Sequence, residues 1–206
     1  PHHSLDPSHV DVHTRGWSPP VKKLRTADRL VCGIIFIDTR HQDTGMSSHA
    51  HYIDGEWTGG ASGEEFESVD PATRETLGSF PQGTPEDVSR AVAAAADAFD
   101  SWRERSYIDR AEHLWDVFHE LRDRHDELGE VVTRECGKEI SEGRADVTEA
   151  WHMVEWAAGN ARHPHGDIVP SEIAAKDAYM RRKPRGVVGC ITPWNFPVAI
   201  PFWHMA

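Results

Sequence analysis

PRGVVGCITPWNFPVAIPFWHMA, residues 184–206, is the stretch on which the reading of the fold turns. Its first part, Val187-Val188-Gly189-Cys190-Ile191, is a continuous apolar run that follows an Arg185-Gly186 turn. A run without polar alternation is the pattern of a strand covered on both faces, as parallel strands are. The pattern predicts a buried parallel strand over 187–191. Just beyond it, Pro193 and Pro197 bracket Trp194, Asn195 and Phe196. Each proline fixes its own φ and biases the preceding residue away from helix, which stiffens the turn. Ligands of open α/β sheets gather outside the carboxyl ends of the parallel strands. Residues 191–195 are thereby placed at a binding edge. An Asn carboxamide held there is able to donate to a developing oxyanion. Asn is also a common turn former that bonds its own backbone, and the residues alone leave both readings open.

Working outward, the preceding chain alternates strand and helix signals, which points to an α/β layered domain. Tyr52-Ile53-Asp54-Gly55-Glu56-Trp57 carries Asp-Gly between two short apolar or aromatic flanks, a hairpin signature. FESVDPATRETLGSF reads as strand, a turn at Asp70-Pro71-Ala72-Thr73, then strand. Thr84-Pro85-Glu86-Asp87 opens a helix: an N-cap Thr, Pro at the first helical position and acids in the first turn. Its stripe is Val88, Ala91, Val92, Ala95, Phe99 and Trp102. Ser106 starts a second helix with the stripe Ile108, Ala111, Leu114, Trp115, Phe118 and Leu121, and Asp126 onward continues or restarts it. Gly137 and Gly143 flank ECGKEISEG, where an interruption of the helical track is expected. A further helix over about 145–161 carries Val147, Ala150, Trp151, Val154 and Ala158 on one face. These stripes read as core, and the acids between them as solvated faces. Ala178 to Lys183, AYMRRK, reads as a strand ending at Pro184.

Composition narrows the function classes. The 206 residues carry a formal net charge of -12, which disfavours nucleic acid and anionic membrane as partners. The charge is uneven: residues 1–45 are near neutral, while 46–206 are strongly acidic with only Lys138, Lys176 and Lys183 as lysines. An acidic, lysine-poor body suits a salt-rich cytoplasm, the halophilic reading, because screening removes self-repulsion. Cys32, Cys136 and Cys190 are widely spaced, so neither a disulfide framework nor a metal site is indicated. The longest apolar run, Val31 to Ile37, is too short for a membrane span. No secretory signal pattern is present at the start, and a cytoplasmic setting is expected.

In its Gly-Val-Val-Gly run followed by Pro193-Trp194-Asn195-Phe196-Pro197, the chain resembles the aldehyde dehydrogenase superfamily. YIDGEW, VDPATRE, the Ala-rich helix with Phe99 and Trp102, and ECGKEISEGRADV fall upstream in the family's order, so the resemblance runs from about Tyr52 to Ala206. It implies the N-terminal part of that α/β fold: helices, small antiparallel strands and an incomplete Rossmann-like parallel sheet. It implies NAD or NADP as cofactor and an aldehyde as substrate. Asn195 matches the family's oxyanion-hole Asn. Ile191, Thr192, Pro193 and Trp194 match positions that line the dinucleotide site. A Cys thiolate attacks the aldehyde in this family, hydride passes to the nicotinamide, and a Glu activates water to release the carboxylic acid. That nucleophile and that Glu lie downstream of the Asn motif in the family. Cys136 and Cys190 read instead as small core hydrophobes, and Glu135 and Glu139 as helix-surface acids. AYMRRK resembles the family's oligomerisation element, which implies a homodimer or homotetramer for the complete enzyme.

Two domain expectations follow. Residues 1–45 read as a disordered or non-native leader, and 46–206 as the N-terminal portion of the dinucleotide-binding domain without the catalytic domain. The alternative is a non-catalytic remnant that binds a nucleotide or a partner subunit. Met46 is the first Met and stands where the acidic composition begins, so translation is expected to start at or near it. Mass spectrometry of the natively expressed protein should then find no peptide from residues 1–45, and an intact one refutes the expectation.

Overall fold

The computed structural model describes residues 49–206. The expected leader, the Val31–Ile37 run and Cys32 lie outside the described residues. Two antiparallel hairpins come first. β1 (His51–Ile53) pairs with β2 (Glu56–Thr58) through Asp54 and Gly55, whose φ angles of 53° and 76° are both left-handed. Two such residues in sequence make the primed turn that matches strand twist, and Asp-Gly tolerates it. β3 (Glu65–Val69) pairs with β4 (Thr76–Pro81), with a register shift between Ser68 and Val69. Their connection is held by Asp70, whose Oδ1 accepts from the amides of Ala72 at 2.8 Å and Thr73 at 3.2 Å. Those backbone donors hold the Asp70 carboxyl below its usual range.

α1 (Pro85–Glu104) starts as its sequence predicts, with a reciprocal capping box between Thr84 and Asp87. Asp87 does more than cap. Its two oxygens also accept from the amide of Ala61, at 3.1 and 3.2 Å, tying the loop after β2 to the helix. The Thr84 hydroxyl and the Ala61 amide hold its carboxyl below the ordinary value. Asp87 is thus a buried acid, where the sequence reading gave the acids to solvated faces.

α2 (Tyr107–Asp123), α3 (His125–Cys136) and α4 (Ile140–Asn160) form the body. α4 is central: α2, α3 and α5 (Ala199–Met205) all pack on it. The core between them holds Phe118, Leu121, Ala150, Val154 and Ala199, with Leu114, Trp115, Trp151 and Phe202 packed around it. The stripes predicted for the second and third helices are these faces. The α1 stripe is different, because Val88 and Val92 are exposed. The rest of that stripe, Ala91, Ala95, Phe99 and Trp102, is half-buried, Trp102 against His113 of α2, so only its Val88–Val92 end is left open.

Gly137 ends α3 in the left-handed conformation, φ 70°, as a glycine C-cap does. Gly143 does not interrupt a helix. It lies inside the first turn of α4, where a Cβ would sit 2.5 Å from the carbonyl oxygen of Gly129 and 2.8 Å from Thr133 Oγ1. The glycine is there for close approach of α3 and α4.

The expected parallel sheet is not formed among the described residues. All three sheets are two-stranded and antiparallel, the last pairing β5 (Ile168–Val169) with β6 (Ala178–Tyr179). Residues 187–191 have no strand pairing, and Val188, Cys190 and Ile191 are exposed. The physical reason is that a strand takes its hydrogen bonds from neighbours and its burial from layers on both faces. The described residues supply neither, so the apolar run remains unpaired and open. Cys190 accordingly is not a core residue.

Gly143→Ala should lower stability by about 1–3 kcal/mol through overpacking against α3. Gly159→Ala, on the same helix with nothing within 4 Å of its Cβ position, should instead raise it by about 0.5–1 kcal/mol through helix propensity. Urea denaturation of the two variants measures both; equal effects would refute the packing explanation.

Candidate active site

The turn at residues 193–198 is built from outside as well as from its own prolines. Val198 and Ala199 open α5, and their amides have no acceptor within the helix. Val198 offers no capping side chain. The acceptor comes from α4: Asp146 Oδ1 receives the Ala199 amide at 2.9 Å and Oδ2 the Val198 amide at 3.3 Å. Asp146 and Ala199 are both 0 % exposed. Burial pushes the Asp146 carboxyl above its usual range, opposed by the two amides and by the positive charge of Lys138.

Two more residues of the same region reach the turn. Lys138 Nζ lies 4.3 Å from the ring centre of Phe196, a cation–π contact. Cys136 Sγ donates to the carbonyl oxygen of Trp194 at 3.5 Å. Burial pushes the Cys136 thiol up from its ordinary value, which disfavours the nucleophilic thiolate. The α3–α4 junction, Cys136 to Asp146, therefore grips the Pro193–Pro197 segment from one side.

The five site residues expected from sequence lie consecutively along this turn. Ile191, Pro193, Trp194 and Asn195 are exposed and Thr192 is half-buried. Trp194 is 83 % exposed. Asn195 sits in the turn proper with its surface open to solvent. A pocket of about 300 Å³ lined by Trp102, Tyr107, Leu114, Trp156 and Trp203 includes none of these five residues. Among the described residues, no group of three or more His, Cys, Asp or Glu converges on a common point.

A family model described as the aldehyde dehydrogenase family matches residues 57–206. The chain belongs to that family. It is 37% identical over 166 residues to the alpha-ketoglutaric semialdehyde dehydrogenase of Bacillus subtilis, an alignment that covers 79% of this chain and 34% of that protein. Among solved structures it superposes with a TM-score of 0.70 on the NADP dependent enzyme of E. coli, at 33% identity, covering 73% of this chain and 31% of that one. It superposes with the same TM-score of 0.70 on the betaine aldehyde dehydrogenase of Staphylococcus aureus in complex with NAD+, at 30% identity, covering 74% of this chain and 31% of that one. The chain thus spans about a third of the length of the proteins it matches.

In this aldehyde dehydrogenase chain, sequence reasoning located the turn and missed what holds it. Asp146 fell among the acids given to solvated faces, Cys136 was read as a core hydrophobe, and Lys138 was given no role. One signal was available for Asp146: it directly precedes Val147 and stands four residues before Ala150, at the border of the most buried stripe. A charge in that position is often satisfied by something distant.

The pH dependence follows from the raised Asp146 value. A group whose folded pKa lies above its unfolded one contributes stability below the unfolded value, here near 3.8, and loses it as pH rises through the folded value. The stability of wild type minus that of Asp146→Asn should therefore be greatest below about pH 3.8 and should fall as the pH is raised, then level off. Denaturation midpoints at a series of pH values read this out, and a difference that grows with pH would contradict the assignment.

Proposed function

We propose that the complete enzyme to which this segment belongs oxidises an aldehyde to a carboxylic acid with NAD or NADP, and that Asn195 supplies an oxyanion donor. The single observation that carries the reading is the turn itself: a carboxamide exposed between two prolines and braced from α4, in a chain of the aldehyde dehydrogenase family. The Asn195 Nδ2 amide donates a hydrogen bond to the aldehyde oxygen as negative charge collects there. A donor fixed beforehand stabilises that charge without reorganisation at the moment of reaction.

The cofactor fits beside it. Ile191 and Trp194 present exposed apolar surface, and a Cβ at Gly189 would meet nothing within 4 Å, so the backbone there is open to close approach. Ile191, Thr192, Pro193 and Trp194 are the residues that would hold the dinucleotide. A nicotinamide held there would supply the acceptor for the substrate's hydride. The acidic surface supports a small-molecule substrate over a polyanionic one. Among the described residues no helix is long and apolar enough to cross a membrane. A cytoplasmic location in a salt-rich cell, residues 46–206 as part of the dinucleotide-binding domain, and a homodimer or homotetramer remain part of this reading. The relatives' named semialdehyde makes semialdehydes the first substrates to try.

Asn195→Ala in the complete enzyme should cost on the order of 10²–10³ in kcat, with cofactor affinity little changed. Stopped-flow formation of NAD(P)H from a semialdehyde panel measures it. The segment of 206 residues alone should form none, since no Cys or Glu follows the Pro193–Pro197 turn, where the family resemblance puts the nucleophile and the base. A variant at residue 195 with wild-type turnover would refute the role.

A further inference from the structure

We propose that Asp146 is a positioning residue for the reaction: by holding the amides of Val198 and Ala199 it sets where the carboxamide of Asn195 points. This rests on the functional reading above and deepens it.

The argument is mechanical. Only Phe196 and Pro197 separate Asn195 from Val198. Pro197 has its φ locked, and so does Pro193 on the other side. Phe196 is further held by Lys138, and the Trp194 carbonyl by Cys136. Little freedom is left to absorb a shift at Val198, so a shift there reaches residue 195. The fixed point is sound, because Asp146 lies on α4, one turn after the glycine contact that seats α4 on α3. The cap is also unusual in its reach. Orphan amides at a helix start are ordinarily met by a local Ser, Thr, Asp or Asn. Here the acceptor lies 52 and 53 residues away, on another helix. A local cap satisfies donors wherever its helix goes, whereas a cap from a different helix also fixes the location of the one it caps. The charged and titratable groups facing the carboxylate are Lys138 on the α3–α4 junction and Cys136 at the end of α3. Neither Val198 nor Ala199, on the α5 side, adds a charge.

The test is a double-mutant cycle in the complete enzyme. Asp146→Asn keeps the side-chain shape but turns one acceptor into a donor facing an amide. Asp146→Glu keeps both acceptors on a stem one carbon longer. Each should lower kcat about tenfold or more in the wild-type background, with the KM for NAD(P) changed by less than about threefold. In the Asn195→Ala background each should change kcat by less than about twofold, because residues that act as a unit are not additive. Hydrogen exchange of the amides of 198 and 199 reports the hold directly: Asp146→Asn should lose protection there and keep it in α2 and α4. Equal losses in the two backgrounds, unchanged kcat, or unchanged exchange at 198 and 199 would each overturn the proposal. A wild-type enzyme that reduces no NAD(P)+ with any aldehyde overturns the functional reading instead, a result distinct from parallel losses in an active enzyme.

Discussion

A carboxylate buried in a helical body, with two backbone amides as its hydrogen-bond donors, is the constraint on which the rest of the structure depends. Asp146 sits at 0 % exposure on the central helix, and what it grips is the start of α5. Burying an ionised carboxyl costs several kcal/mol even after relaxation, roughly, unless its lone pairs are met. The Val198 and Ala199 amides face the same difficulty from the opposite sign, being orphan donors at a helix start. Each group solves the other's problem. Breaking the pair leaves both uncompensated in the core that Ala199 shares with Phe118, Ala150 and Val154. The stability of that core and the location of the turn are therefore one matter.

The same constraint joins two stretches of sequence into a single unit. ECGKEISEGRADV contributes Cys136, Lys138 and Asp146, each of which reaches the Trp194–Ala199 segment. Gly143, within the same stretch, lets α4 lie against Gly129 of α3 at a separation that no larger residue allows. Glu135 accepts from Ser68 Oγ at 2.7 Å and carries the connection on to β3. A chain of contacts thus runs from the small strands, through the α3–α4 junction, to the exposed carboxamide of Asn195. Sites need such supporting shells, because a donor misplaced by an ångström loses much of its effect.

Apolar surface left open in this chain has a shared cause. Residues 187–191 lack neighbouring strands, and the Val88–Val92 face of α1 lacks a covering layer. Both carry the periodicity of buried elements. Elements of this kind ask for partners that the described residues do not contain, which agrees with a chain spanning about a third of its relatives' length.

Local chemistry was enough for much of the fold. The Asp54-Gly55 turn, the Thr84 and Ser106 caps, the Gly137 helix end and the α2 and α4 stripes depend on residues within about one helical turn of each other, so the sequence displays them directly. The five-residue turn with Asn195 was legible for the same reason, since prolines act on their immediate neighbours. What tertiary structure decided was everything that needs a distant partner. The role of Gly143 depends on Gly129 across a helix crossing. The burial of Asp87 depends on the Ala61 amide. The fate of 187–191 depends on strands that no local pattern supplies. Above all, Asp146 became a holder of the site because a helix packed 52 residues later brought two amides to it. Hydrogen bonds between distant segments leave no periodicity in the chain, and only the packed helices determine which acid meets which donor.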